Sequence, residues 1–208
     1  PDAPIDDFAF TTEKMSNSGA LFDLNKLNDI SKDVLLKISA ADLFDFLKAW
    51  AEEFKPELLH IFADRAYLEK ILDIGRHEER NPRKDHIYAQ QIIQNSYFFD
   101  DLFEIEDDFP QEAAGDVPTI IEKYLATYDH KDDQEVWFGK IRQIADELGY
   151  AVKPKDFKKN PDQYKGHVGH VSTVIRVALM GRQQSPDVWE IQQILGEERT
   201  RARLSKFL

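Results

Sequence analysis

The clearest apolar rhythm in the chain begins just after Ser39, where Leu43, Phe46, Leu47, Trp50 and Phe54 recur at helical spacing. Ser39 offers a capping hydroxyl, and Asp42 three residues on suits the positive end of that helix. Lys55-Pro56 ends it and opens another, because proline fits a first helical turn and breaks an interior. PELLHIFADRAYLEKILDIG then reads as two helical pieces, with Asp64 capping the second and Gly75 stopping it. After the charged link RHEERNPRKD, a helical beat returns through Ile87, Ile92, Ile93, Ser96, Tyr97, Phe99 and Leu102. Upstream, residues 1–33 keep no sustained period and read as an extended or looped lead-in. Within it, Leu21, Phe22, Leu24 and Leu27 approach helical spacing, enough for a short helix or turn.

In the second half, VPTIIEKYLATY is a short helix and DQEVWFGKIRQIADELGY a longer one. The longer one buries Val136, Trp137, Ile141, Ile144, Ala145 and Leu148, and Gly149 stops it. KPKDFKKNPDQYKG is a basic loop. VSTVIRVALM is rich in β-branched residues that favour strands, but every neighbouring element is helical, so a helix is expected. A Gly181-Arg182 turn follows. Ser185, Pro186 and Asp187 then match a cap, a first-turn proline and a first-turn acid, opening one more helix before a short basic last one. No repeat or low-complexity tract interrupts this order. The fold class is all-α, in two helical subdomains whose boundary falls between residues 107 and 133.

A chain of 208 residues can bury one large core or two small ones. It starts at Pro1, not Met, as a processed protein or an excised piece would. The absence of cysteine excludes a disulfide framework and a thiolate metal site. No apolar run approaches the ~20 residues that span a bilayer, and no signal peptide opens the chain, so a cytoplasmic protein without membrane contact is expected. The formal net charge of −12 is unevenly spread. Thirteen acids and two lysines lie between Phe99 and Glu135, whereas from Ala151 onward eleven bases face six acids, a net +5 on that segment. A basic end on an acidic body can guide a polyanion to one face.

Candidate chemistry is sparse. Lys14-Met15-Ser16-Asn17-Ser18 is close to the KMSKS loop that stabilises ATP phosphates, but Asn17 replaces its second lysine and no HIGH-type partner exists. His167 and His170, three apart, would share a helix face, exposed or turned to phosphate, and no third ligand at suitable spacing makes them a metal site. No catalytic triad or carboxylate pair emerges. Two basic clusters remain: Arg76, Arg80, Arg83 and Lys84 before the Tyr97-Phe98-Phe99 segment, and Arg182 with Arg199, Arg201 and Arg203. Pattern alone leaves solvated helix ends and RNA contacts equally open.

SGALFDLNKLNDIS, the Trp50-Ala51 helix end, SYFFDDLFE and RVALMGRQQSPDVWEIQQILGEERTRARL together resemble, in order, the C-terminal part of bacterial glutamyl-tRNA synthetases. The resemblance covers nearly the whole chain and is most specific in its last block. It implies a class I enzyme whose catalytic domain precedes this chain and uses ATP and Mg, with no cofactor and no catalytic residue here. It implies a connecting segment over 1–38, a helical cage over 39–130, and a basic, anticodon-binding helical bundle over 131–208. The expected partner of a monomeric chain is tRNA for glutamate, with tRNA for glutamine left open. Arg83 or Lys84 would match the basic residue that inspects the last anticodon base, an arginine there being associated with rejecting tRNA for glutamine. The Gly181-Arg182 turn and nearby helix ends would form the other anticodon-facing surface, so Arg176, Arg182, Arg199 and Arg203 complete the candidates. The acidic stretch Glu104–Gly115 and the DHKDD linker carry no part of the resemblance. Two alternatives are a helical protein-interaction module using the SYFF aromatics and acidic hinge, and an ATP-using enzyme acting through Lys14–Ser18.

Overall fold

The first helix lies where the sequence shows no sustained period. In a computed structural model that describes residues 9, 11–14, 22–76, 86–93 and 96–208, α1 (Leu24–Lys37) starts at Asp23, whose side chain accepts from the Lys26 amide. It buries no residue fully. Leu24, Leu27, Ile30 and Val34 stay exposed, and only Leu35 and Ile38 lean on the core, so its apolar face does not announce itself as a core stripe. Polar contacts hold it instead. Ser31 Oγ donates to Ile87 O at 2.6 Å, and Arg76 donates to the carbonyls of Leu35, Leu36 and Ile38, the acceptors that a helix end leaves open.

The Ser39 cap forms as expected, its Oγ accepting from the Asp42 amide at 3.1 Å to open α2 (Ala40–Phe54). The buried face is rotated from the expected stripe. Leu43, Phe44, Leu47 and Ala51 point inward, whereas Phe46 and Phe54 are 53% and 60% exposed. The rotation follows from the next elements, a 3-10 turn (Pro56–Phe62) and α3 (Arg65–Asp73), which pack against α2 and set Phe62 edge-on to Phe44 at 5.5 Å. Asp64 caps α3 through the Tyr67 amide, and Gly75 follows its end with a positive φ of 65°.

Where a continuous helix is expected near Tyr97, the described residues form α4 (Gln90–Ile93) and a 3-10 turn (Ser96–Phe98). Tyr97, Phe98 and Phe99 are all buried, a run of three large aromatics that a one-sided amphipathic helix would not bury.

The remaining helices are α5 (Val117–Thr127), α6 (Gln134–Glu147), α7 (Pro154–Lys159), α8 (Val168–Met180), α9 (Val188–Leu195) and α10 (Glu197–Leu204). The β-branched α8 is helical, as its neighbours required, and is buried on most sides by α5, α6, α10 and the aromatic turn. α9 begins at Asp187, whose carboxylate accepts from the Glu190 amide at 3.0 Å. The cap therefore lies two residues later than Ser185, whose hydroxyl is spent on Pro186 O. A buried knot ties α5, α6 and α9: Trp137 Nε1 donates to Tyr124 OH (2.7 Å) and Gln192 Oε1 (2.9 Å). One apolar cluster runs from Leu43 to Leu204, and α5, inside the expected first part, packs on α6, α8 and α10. Among the described residues there is no strand, only an isolated parallel bridge between Ala151 and His167, and no helix is long and apolar enough to cross a membrane.

Candidate functional site

Gly181 ends α8 in the left-handed region, at φ 73°. A Cβ there would lie 2.0 Å from Glu104 O, so only glycine lets the acidic segment pass this close. That segment closes on the turn. The amides of Glu106 and Asp107 both donate to Gly181 O at 2.8 and 2.9 Å, and the Gln183 amide donates to Asp107 Oδ2 at 2.7 Å. Arg182 pairs with Glu106 at 2.6 Å, a contact that raises its pKa further against partial burial, and it lies over the Tyr97 ring at 6.0 Å. Arg176 braces the same turn from within α8, donating to Gln183 O.

The α10 arginines meet the aromatic turn. Arg203 is 2% exposed and donates to Tyr97 O (2.5 Å), Leu179 O (2.8 Å) and Asp100 Oδ1 (2.7 Å), with its guanidinium 4.2 Å above the Phe103 ring. Arg199 donates to the other Asp100 oxygen and to Tyr67 OH, at 2.9 and 2.7 Å. Burial would push the Asp100 carboxyl up, but the Arg203 hydrogen bond and the two arginine charges outweigh it and hold its pKa below the ordinary value. The result is a pair of helix ends whose arginines are cross-braced by acids, with Arg182 and Arg199 each keeping about a third of the side chain open to solvent.

A family model described as "Anticodon binding domain" matches residues 50–208, the whole of this assembly. The chain belongs to that family. A glutamate–tRNA ligase of Acetivibrio thermocellus is 54% identical over 211 residues, covering 100% of this chain and 38% of that protein. Glutamate–tRNA ligases of Clostridium perfringens (strain SM101 / Type A) and Sorangium cellulosum are 39% and 37% identical, again over 100% of this chain and 39% and 37% of those proteins. The chain thus spans under two fifths of the length of the curated relatives it matches.

In this anticodon binding domain the structure brings four of the sequence candidates to two neighbouring places: Arg176 and Arg182 at the α8 turn, Arg199 and Arg203 at the aromatic turn. Arg203 is an internal strut, not a surface group. Arg83 and Lys84 lie outside the described residues, as do Arg80 and Met15–Ser18 of the KMSKS-like stretch. Arg76, from the same basic cluster as Arg83, caps α1. Tyr97, Phe98 and Phe99 are core residues, not an exposed aromatic patch. Asp100 and Tyr67 were not candidates in the sequence, and the acidic stretch at 104–108, read there as a hinge, was not connected to the Gly181-Arg182 turn. The one signal for Asp100 was its place directly after the Tyr-Phe-Phe run.

The histidine pair also departs from expectation. His167 is the α8 cap, its Nδ1 accepting from the Gly169 amide at 3.0 Å, and His170 Nδ1 accepts from the His167 amide at 3.3 Å. The rings stack with centroids 3.9 Å apart, and Phe157 of α7 sits edge-on to both. Burial, then the neighbouring His170, then Lys158, depress the His167 pKa, with Glu112 opposing. A histidine whose folded pKa lies below its unfolded value of about 6.5 contributes fully above that pH and loses the contribution as pH falls towards the folded pKa. Melting temperature should therefore fall as pH drops below about 6.5. His167→Asn keeps a cap acceptor without titrating and should flatten that fall in thermal melts. An unchanged profile in the variant would show that the cap does not set it.

Proposed function

We propose that this chain is the anticodon-recognition part of a glutamate–tRNA ligase. One observation carries the proposal: the family match extends through the Gly181-Arg182 turn and α10, where the basic end of the chain is assembled. The names of the relatives supply the amino acid and the tRNA. In the parent protein a catalytic domain outside this chain would activate glutamate with ATP and Mg and pass it to tRNA for glutamate. The chain alone would bind that tRNA, as a cytoplasmic monomer, without aminoacylating it. The helical cage over 39–130 and the bundle over 131–208 would share the anticodon arm, with α5 as the element common to both. Arg182 and Arg199, whose side chains are about a third exposed, suit direct RNA contact, because the fork can stack on a base or grip phosphate. Arg176 and Arg203 would act by positioning them. Arg83 or Lys84 would inspect the last anticodon base, and the identity of that residue would decide whether tRNA for glutamine is accepted.

Titration of the chain with tRNA for glutamate, and with an anticodon-changed version, tests this. Binding should weaken steeply as salt rises and weaken again with the changed anticodon. Arg182→Ala should cost roughly tenfold or more in affinity, the scale of one lost arginine contact, and more than Arg80→Ala. Absence of binding at low salt, or indifference to both salt and anticodon, would exclude the proposal.

A further inference from the structure

The basic charge expected at the arginines is largely neutralised within the fold, since Arg182 is held by Glu106, Arg199 and Arg203 by Asp100, and Arg201 by Glu197. Lysine supplies a second basic surface on α7. Lys153, Lys155, Lys158 and Lys159 are all exposed, and none has an ion pair among the described residues. Lys165, nearby, is tied to Asp116 at 2.7 Å.

Helix geometry sorts this segment into two faces. Lys155, Lys158 and Lys159 stand at i, i+3 and i+4 and share one stripe, and Phe157 projects from the opposite side onto the His167 and His170 rings. The loop that carries α7 is closed at its neck, where Ala151 N donates to Gly166 O and Val168 N to Ala151 O, each at 2.9 Å. The stripe is therefore presented on a pinned support. α7 docks at the start of α8 and Arg182 follows its end, and a helix of 13 residues is about 20 Å long. Lysines there cannot meet the nucleotide that Arg182 meets.

We propose that the Lys155–Lys158–Lys159 stripe, with Lys153 beside it, is a second RNA surface that grips phosphates several nucleotides away from the Arg182 contact and reads no base. It rests on the proposed tRNA binding. Lysine fits the role because an ammonium is a point charge without the planar fork that reads a base edge.

The test uses the full 208-residue chain, tRNA for glutamate and its anticodon-changed form, across a salt series. Lys155→Ala/Lys158→Ala/Lys159→Ala should make the slope of log K against log salt shallower by about two, at roughly 0.7–0.9 per phosphate contact. The ratio of affinities for the two tRNAs should not change, and neither should the melting temperature, because these side chains are exposed. Lys26→Ala/Lys48→Ala/Lys70→Ala, an equal charge change placed on α1–α3, should leave the slope as it was. An unchanged slope in the α7 variant with anticodon preference intact overturns the stripe alone. Equal flattening by the control variant also overturns it, in favour of a diffuse field. Failure of the unmodified chain to bind either tRNA overturns both the stripe and the tRNA proposal.

Discussion

Replacing Arg203 with alanine is expected to cost about 3–5 kcal/mol of folding stability, from two enclosed carbonyls left without a donor at about 1–3 kcal/mol each, and to lower Tm by roughly 10 °C. Three acceptors lose their donor at once: Tyr97 O, Leu179 O and Asp100 Oδ1. Asp100 is 60% exposed at its side chain and can rehydrate, so the loss falls mainly on the two enclosed carbonyls and on the space left above Phe103. Arg203→Lys keeps the charge but gathers its donors on one nitrogen, which cannot stand at both the Nη1 and Nη2 positions, so it should fall between the two. Urea denaturation of the three proteins gives the order. If Arg203→Ala melts within a degree of the parent, the guanidinium is not the strut that its contacts describe.

Gly181→Ala is expected to cost about 3 kcal/mol, combining left-handed backbone strain of about 1–3 kcal/mol with the loss of hydrogen bonds worth about 1 kcal/mol each. The added Cβ cannot coexist with Glu104 O at 2.0 Å, so the acidic segment must move off the turn. Glu106 and Asp107 amides then lose Gly181 O, and Arg182 loses Glu106. Hydrogen exchange should therefore quicken at those two amides specifically, and protection retained there would show that the turn adapts without releasing the segment. Loss at two amides also separates this variant from Arg203→Ala, which opens the aromatic turn instead.

Much of the helical order was legible because its signals are local. Ser39 and Asp64 each find the amide three residues on, and Gly75, Gly149 and Gly181 each follow a helix with positive φ. Three failures share a cause. α1 carries its apolar residues outward, the Tyr97–Phe99 run buries consecutive positions, and α2 turns Phe44 inward in place of Phe46; in each, packing by distant partners overrides the period. The site divides in the same way. The Gly181-Arg182 turn could be picked out from its own residues. Its partner at 104–108 lies about 75 residues upstream, and a run of acids with no apolar period reads simply as loop. Asp100, shared by two arginines roughly a hundred residues downstream, left no trace that spacing could detect.

Arg203 reaches Tyr97 across 106 residues and Asp100 across 103. At a synthesis rate of about 5–20 residues per second, the aromatic turn is made some 5–20 s before the side chain that locks it. The joint at Tyr97 therefore cannot be locked until the α10 segment has been made, whatever forms around it earlier. A nascent chain stalled ahead of α10 would lack the two hydrogen bonds that tie Tyr97 and Asp100 to Arg203.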